Sequence, residues 1–156
     1  KKSKSIGVRI PIDSIPANAK ITLSAVVKAD VPDANQDNNT DKCEITLLLP
    51  DLTVTSVKPV GFIIQGSPAI LNVGVANLSN VASGRFTIKI YQDENTKVLA
   101  SKVVGQLNGS KNYLMALKVP KDFTLKKNSF RVVIDADSQV VETDETNNVL
   151  YYPSKR

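Results

Sequence analysis

The sequence predicts an all-β chain: an immunoglobulin-like seven-stranded β-sandwich, preceded by the last three strands of a second similar module. Three observations carry that expectation. Short stretches of apolar/polar alternation recur along the chain, and helical periodicity is missing. Clusters of Gly, Pro, Asn and Asp separate these stretches at intervals of about eight to twelve residues, the spacing of a sandwich of short strands. The first fifty residues also follow the pattern of the last fifty.

In chain order, the alternation places strands at Leu52 to Val57, Ala69 to Asn77, Gly84 to Gln92, Lys97 to Val104, Asn112 to Val119, Ser129 to Ala136 and Asn148 to Pro153. Side chains two apart on a strand share a face. Four rows therefore form the expected core: Leu71, Val73 and Val75; Phe86, Ile88 and Ile90; Tyr113, Met115, Leu117 and Val119; Phe130, Val132 and Ile134. Thr87, Lys89, Lys118, Arg131 and Asp135 alternate with them and are expected in solvent.

Displaced by 107 positions, "SIGVRIPIDSIPANAKITLSAVVKAD" (Ser5 to Asp30) lies over "NYLMALKVPKDFTLKKNSFRVVIDAD" (Asn112 to Asp137) without a gap. Ile6, Val8, Ile10 and Ile12 then fall on Tyr113, Met115, Leu117 and Val119, and Leu23, Ala25 and Val27 fall on Phe130, Val132 and Ile134. An Asn-Asn pair and a closing strand ending in proline follow in both segments, with two residues fewer before the first pair. The expected organisation is residues 1–50 as the C-terminal part of one module and residues 51–156 as a complete second one. Pro50-Asp51 would be the short hinge. Three strands alone leave an apolar face that missing strands must cover, from an upstream part of the polypeptide or from a neighbouring molecule.

Composition closes several function classes. Histidine is absent, which removes Ser-His and Cys-His catalysis and histidine metal sites. The net charge of +5 is spread out, the tail "SKR" is too short for a basic arm, and Trp is absent, so no nucleic-acid footprint is expected. No apolar run approaches the roughly 20 residues that span a bilayer, and no direct membrane insertion is expected. The single cysteine, Cys43, alternates with Ile45 and Leu47 and is expected to be buried.

"PDLTVTSV" at the start of the second module, "LNVGVANLSNVAS" in its second strand and turn, and "VVIDADSQVVETDETNN" near its close resemble the CARDB family. These are cell-adhesion-related domains of bacterial and archaeal surface proteins. The resemblance covers Pro50 to Pro153, with an echo of its last third in Ser5 to Pro50. Asp137, Val140, Glu142, Glu145, Asn147 and Asn148 match the closing motif. The echo, "DVPDANQDNN", has no glutamate, so a role tied to Glu142 does not carry onto it. The resemblance implies a sandwich module within a long secreted or surface-anchored chain, with adhesion or spacer roles and no catalytic activity.

The acidic stretch raises the sharpest site question. Asp135, Asp137, Glu142, Asp144 and Glu145 supply the hard oxygens that calcium takes, and calcium is the one cofactor considered. The spacing is not that of an EF-hand loop. The competing reading is a structural turn in which Asn147 and Asn148, and Asn38 and Asn39 in the first copy, hydrogen-bond to the loop. Paired carboxylates for glycoside hydrolysis would want a cleft and aromatic platforms, and nothing in the sequence supplies them. Asn38, Asn77 and Asn108 lie in glycosylation sequons in predicted turns. Of Tyr151 and Tyr152, one is expected to face the core; the other is read first as part of a half-buried closing strand and second as a contact to a ligand or the next module.

The sequence thus points to a noncatalytic extracellular spacer or adhesion module at the cell surface, whose partners are other modules of the same protein or identical subunits. One alternative is a self-assembling extracellular filament subunit that exchanges strands with its neighbours. The other is a carbohydrate-binding accessory module of a secreted hydrolase.

Overall fold

The computed structural model describes residues 5–11, 19–92, 96–123 and 130–153. It divides into two compact units, Lys1–Leu48 and Leu49–Arg156.

The first unit is a two-stranded antiparallel sheet, β1 (Lys20–Val26) and β2 (Thr40–Thr46), with one 3-10 turn at Gln36–Asn38 before the second strand. The register pairs Leu23 with Cys43 and Val26 with Thr40. The strand expected from Ile6 to Ile12 is not formed over residues 5–11, and Ile12 lies outside the described residues. A strand needs a ladder partner, and no ladder forms over residues 5–10 among the described residues; Ile6 and Val8 are each 80% exposed. Cys43 is also exposed, against expectation. Alternation put it on the apolar face correctly, but two strands cannot cover their own face.

The second unit has seven strands: β3 (Leu52–Pro59), β4 (Ala69–Asn77), β5 (Phe86–Gln92), β6 (Val98–Val104), β7 (Lys111–Val119), β8 (Phe130–Val133) and β9 (Val149–Tyr152). They form one sheet in the order β3-β4-β7 and a second in the order β6-β5-β8-β9, all antiparallel. This is an immunoglobulin-like sandwich. Its fourth strand pairs with the third, whereas in the constant-type arrangement the fourth joins the sheet of the first two. Two of the core rows are fully buried on β4 and β5, and Phe130, Val132 and Ile134 are buried beside the β5 row, in the same sheet. Burying one such side chain is worth about 1.5–3 kcal/mol, so these rows are a large part of the apolar stabilisation of the unit.

Four expectations about faces and ends need correcting. Tyr113 is exposed, because it sits near the start of edge strand β7. Thr87 is buried, and its hydroxyl donates to Gln139 Oε1 at 2.8 Å. Asp135 is buried rather than solvated. Finally, β8 stops at Val133, short of Ala136, because Asp135 adopts a φ of 45° and turns the chain out of the ladder. The expected strand start at Ser129 and the "SKR" tail lie outside the described residues.

The registers also fix how the chain runs through the unit. Leu52 pairs with Asn77 and Asn77 with Lys111, so the start of β3 lies at the same end as the 77–86 and 104–111 connections. The 134–148 connection lies at that end too, since Glu142 accepts from the Leu52 N–H. β9 starts there and runs away from it, ending at Tyr152 opposite Phe130. The polypeptide therefore enters at one end of the sandwich and leaves towards the other. No helix among the described residues is long and apolar enough to cross a membrane.

Candidate functional site

The acidic connection between β8 and β9 is built from its own carboxylates. After Ile134, whose N–H donates to Asn148 O at 2.9 Å, Asp135 and Ser138 both adopt positive φ, 45° and 49°. The buried Asp135 carboxylate explains why the strained turn holds: Oδ1 accepts from the Gln139 N–H and Oδ2 from the Val140 N–H, each at 2.9 Å. A buried carboxylate between two backbone donors is satisfied, and each bond to a charged group contributes about 1.5–3 kcal/mol. Val140 is thereby pinned into the core.

Asp137, two residues on, points outward and pairs with Lys89. That contact holds the Asp137 carboxyl below its ordinary range and raises Lys89. The pair is exposed to solvent and is a minor contributor.

Glu142 is the centre of the site. It is 5% exposed, its Oε2 accepts from the Leu52 N–H, and its Oε1 accepts from Asn148 Nδ2 at 3.0 Å. Burial dominates its protonation and pushes the carboxyl up to about 7, with Glu145 and Asp135 adding repulsion and the two donors opposing. A protonated carboxyl needs an acceptor. Asn148 Oδ1 is buried without a hydrogen-bond partner, and rotation of that amide turns it towards Glu142.

Around Glu142, the remaining side chains tie down the start of the sandwich. Glu145 Oε1 accepts from the Glu142 N–H at 3.0 Å, and Asn147 Nδ2 donates to Asp51 Oδ1 at 2.8 Å. Thr53 Oγ1 donates to Asn147 O at 3.0 Å, and the Thr143 N–H donates to Pro50 O at 2.9 Å. Thr143 Oγ1 reaches Leu49 O at 3.3 Å. Asp144 stays outside this clamp: Oδ1 accepts from the Thr146 N–H and hydroxyl at 2.8 and 2.6 Å, which lowers its carboxyl. Leu49, Pro50 and Asp51 are thus held within the second unit.

Sequence reasoning missed Asn77, which it read only as a sequon. The side chain is 1% exposed; Oδ1 accepts from the Asp51 and Ser79 N–H groups at 3.1 and 3.2 Å, and Nδ2 donates to Val81 O and Leu107 O at 2.7 and 3.1 Å. An amide so enclosed is unsuited to carry a glycan. The signal available in the sequence was an Asn at a strand end with Ser two residues later, the pattern of an Asx turn. Asn108 and Asn38 are exposed. Beside Asn108, Gly109 presses on the Asn80 backbone, where an added Cβ would lie 2.2 Å from Asn80 O. In the first unit the Asn39 carbonyl accepts from the Val27 N–H at 2.9 Å, and Asn38 closes the 3-10 turn. Tyr152 packs against the core, and Tyr151 is half-buried.

Chemically, this arrangement fastens backbone. Asp135, Glu142 and Glu145 each spend an oxygen on N–H groups of the chain, and among the described residues no three His, Cys, Asp or Glu side chains converge as a metal would require.

The profile of the CARDB family matches residues 49–152. Among solved structures, a domain of a protein described as a cell surface protein from Methanosarcina acetivorans superposes with a TM-score of 0.56 at 21% identity, covering 67% of this chain and 89% of that one. The CARDB domain of a Pyrococcus furiosus protein, in complex with two metal ions, gives 0.53 at 24% identity over 66% and 89%. A solution structure of the same Pyrococcus domain gives 0.52 at 22% identity over 66% and 91%. No curated protein matches the chain.

Proposed function

The chain belongs to the CARDB family, and from that membership we propose that it serves as a noncatalytic extracellular spacer or adhesion module of a larger surface protein. The observation that carries this reading is the clamp of residues 49–53 onto residues 142–147, at the end where the chain enters the sandwich. A spacer is loaded along its chain, and the segment that meets the load first is here fixed by five hydrogen bonds. Entrance and exit at opposite ends let modules follow one another in a line. The cell surface description of the Methanosarcina relative supports an extracellular setting for this one.

The metal-bound Pyrococcus domain keeps a cation as the second reading for the acidic connection. The unpartnered Asn147 Oδ1 and Asn148 Oδ1 would add oxygens to it. The structural reading is favoured because Asp135, Glu142 and Glu145 already accept from backbone N–H donors. Calcium titration followed by thermal melting separates the two: an unchanged Tm supports the structural turn, and a rise of several degrees that chelator reverses supports the cation.

Pulling the chain from its two ends tests the spacer reading. The second unit should unfold in a single high-force event releasing roughly 30–35 nm, at about 3.3–3.6 Å per residue, and Glu142→Ala should lower that force. Gradual extension at low force would overturn the reading. Antibody against residues 49–152 should label intact source cells; labelling only after permeabilisation would contradict an extracellular setting.

A further inference from the structure

The hairpin β1–β2 reproduces β8–β9 and lacks what covers it. At offsets of 107 for the first strand and 109 for the second, the pairs Leu23↔Cys43, Ser24↔Lys42, Ala25↔Asp41 and Val26↔Thr40 fall on Phe130↔Tyr152, Arg131↔Tyr151, Val132↔Leu150 and Val133↔Val149. The bond beyond the ladder also coincides: Val27 N–H to Asn39 O and Ile134 N–H to Asn148 O, both at 2.9 Å. So does the Asx turn, with the Asp37 N–H on Asn35 Oδ1 at 3.1 Å and the Thr146 N–H on Asp144 Oδ1 at 2.8 Å. A slip of one residue would have flipped every side chain to the other face and destroyed this agreement.

In the second unit, β8 has strands on both edges. β5 takes the second edge, with Ile90 opposite Val132 and Gln92 opposite Phe130. In the first unit the same edge of β1 carries no strand among the described residues. Leu23 is 39% exposed and Val27 67%, where Phe130 and Ile134 are at 0%. Val8 borders the same hollow as Leu23, Ala25 and Cys43. Its counterpart at the 107 offset, Met115, packs against the core of the second unit.

We propose that the free edge of β1, with the face bearing Leu23, Ala25 and Val27, receives an antiparallel strand equivalent to β5 from polypeptide ahead of Lys1, so that the hairpin closes a preceding module of the same fold. The interface already formed by β5 and β8 sets the register: the residue in the place of Ile90 lies opposite Ala25, and the one in the place of Gln92 lies opposite Leu23. Ala25 and Leu23 are smaller than Val132 and Phe130, so the covering strands must supply bulkier apolar side chains to reach normal packing density. A second copy is a poorer occupant, because its own β5 is held between β6 and β8.

Cys43, the one cysteine of the chain, reports on this directly. Its counterpart Tyr152 packs on the core, and its own thiol is exposed. Thiol labelling with a disulfide reagent should be fast in the 156-residue chain and at least about tenfold slower in the natural polypeptide that includes the residues ahead of Lys1, since a covered thiol reacts only through local opening. Cys43→Ser assigns the signal, and Leu23→Asp in the longer polypeptide should restore fast labelling. Equal rates in the two chains would overturn the proposal, as would protection in the shorter chain that grows with concentration, which would make a second copy the occupant. Neither result depends on where the protein resides or on its spacer role.

Discussion

The hairpins β8–β9 and β1–β2 share a pairing register, a closing hydrogen bond and an Asx turn, yet Phe130 and Val132 are buried and Leu23 and Val27 are not. Register belongs to the hairpin itself, since alternation and the turn before the second strand set it locally. Burial is collective and needs the five other strands. The connections differ too. In the second unit Glu142 reaches a backbone N–H 90 residues away, whereas Asp33, its counterpart at the 109 offset, bonds within its own loop, to the Asn35 N–H two residues on and to the Asn39 side chain. The same hairpin therefore fastens a sandwich in one place and only itself in the other.

The sharpest way to break this contrast is to truncate equivalent core positions. Phe130→Ala should cost about 3–5 kcal/mol in urea unfolding of the second unit, and Leu23→Ala in the same chain should leave that transition where it was. Equal losses would show that the first hairpin is covered after all.

Protonation distinguishes the two connections with opposite signs. Glu142 titrates at about 7 when folded, against 4.5 as its ordinary value, so between those pH values the folded chain binds the extra proton and stability rises as pH falls. From pH 8 to pH 5 this adds up to about 3 kcal/mol to the second unit, and Glu142→Gln should flatten the profile. Asp33 is lowered by its Asn35 bond, so its contribution is present at neutral pH and is lost on acidification. A second unit that weakens steadily from pH 8 to pH 5 would contradict the burial of Glu142.

Asn77→Ala should cost about 2–3 kcal/mol, because it removes the side-chain donor to the Val81 carbonyl and the acceptor of the Asp51 N–H, and leaves the Leu107 carbonyl with the Ser83 N–H alone. Intact mass should show no glycan on Asn77. Smallest of all, Lys89→Met removes the exposed pair with Asp137 and should leave the urea midpoint unchanged within error.

The seven strands and most of the core were legible because period-two alternation is a local signal; Leu71, Ile88 and Val132 could be placed from neighbours two residues away. Polar burial was not. Nothing near Asp135 announces that a positive φ will turn its carboxylate onto Gln139 and Val140, and Glu142 and Asn77 find partners 90 and 30 residues distant. Cys43 failed differently: its face was right, but alternation cannot say whether a covering sheet is present. The acidic stretch advertised oxygen-rich chemistry; what its sequence did not announce is that Asp135, Glu142 and Glu145 each accept from the chain's own N–H groups while Asp137 pairs with Lys89.

Amide hydrogen exchange at Val27 and Ile134 tests the central claim most directly, since the two N–H groups make the same bond at the same length, 2.9 Å, to Asn39 O and Asn148 O. If covering strands and the Glu142 clamp supply the stability, Ile134 exchanges only with global unfolding of the second unit, and Val27 exchanges orders of magnitude faster. Equal protection at the two sites would contradict the account, because it would mean that the hairpin alone is enough.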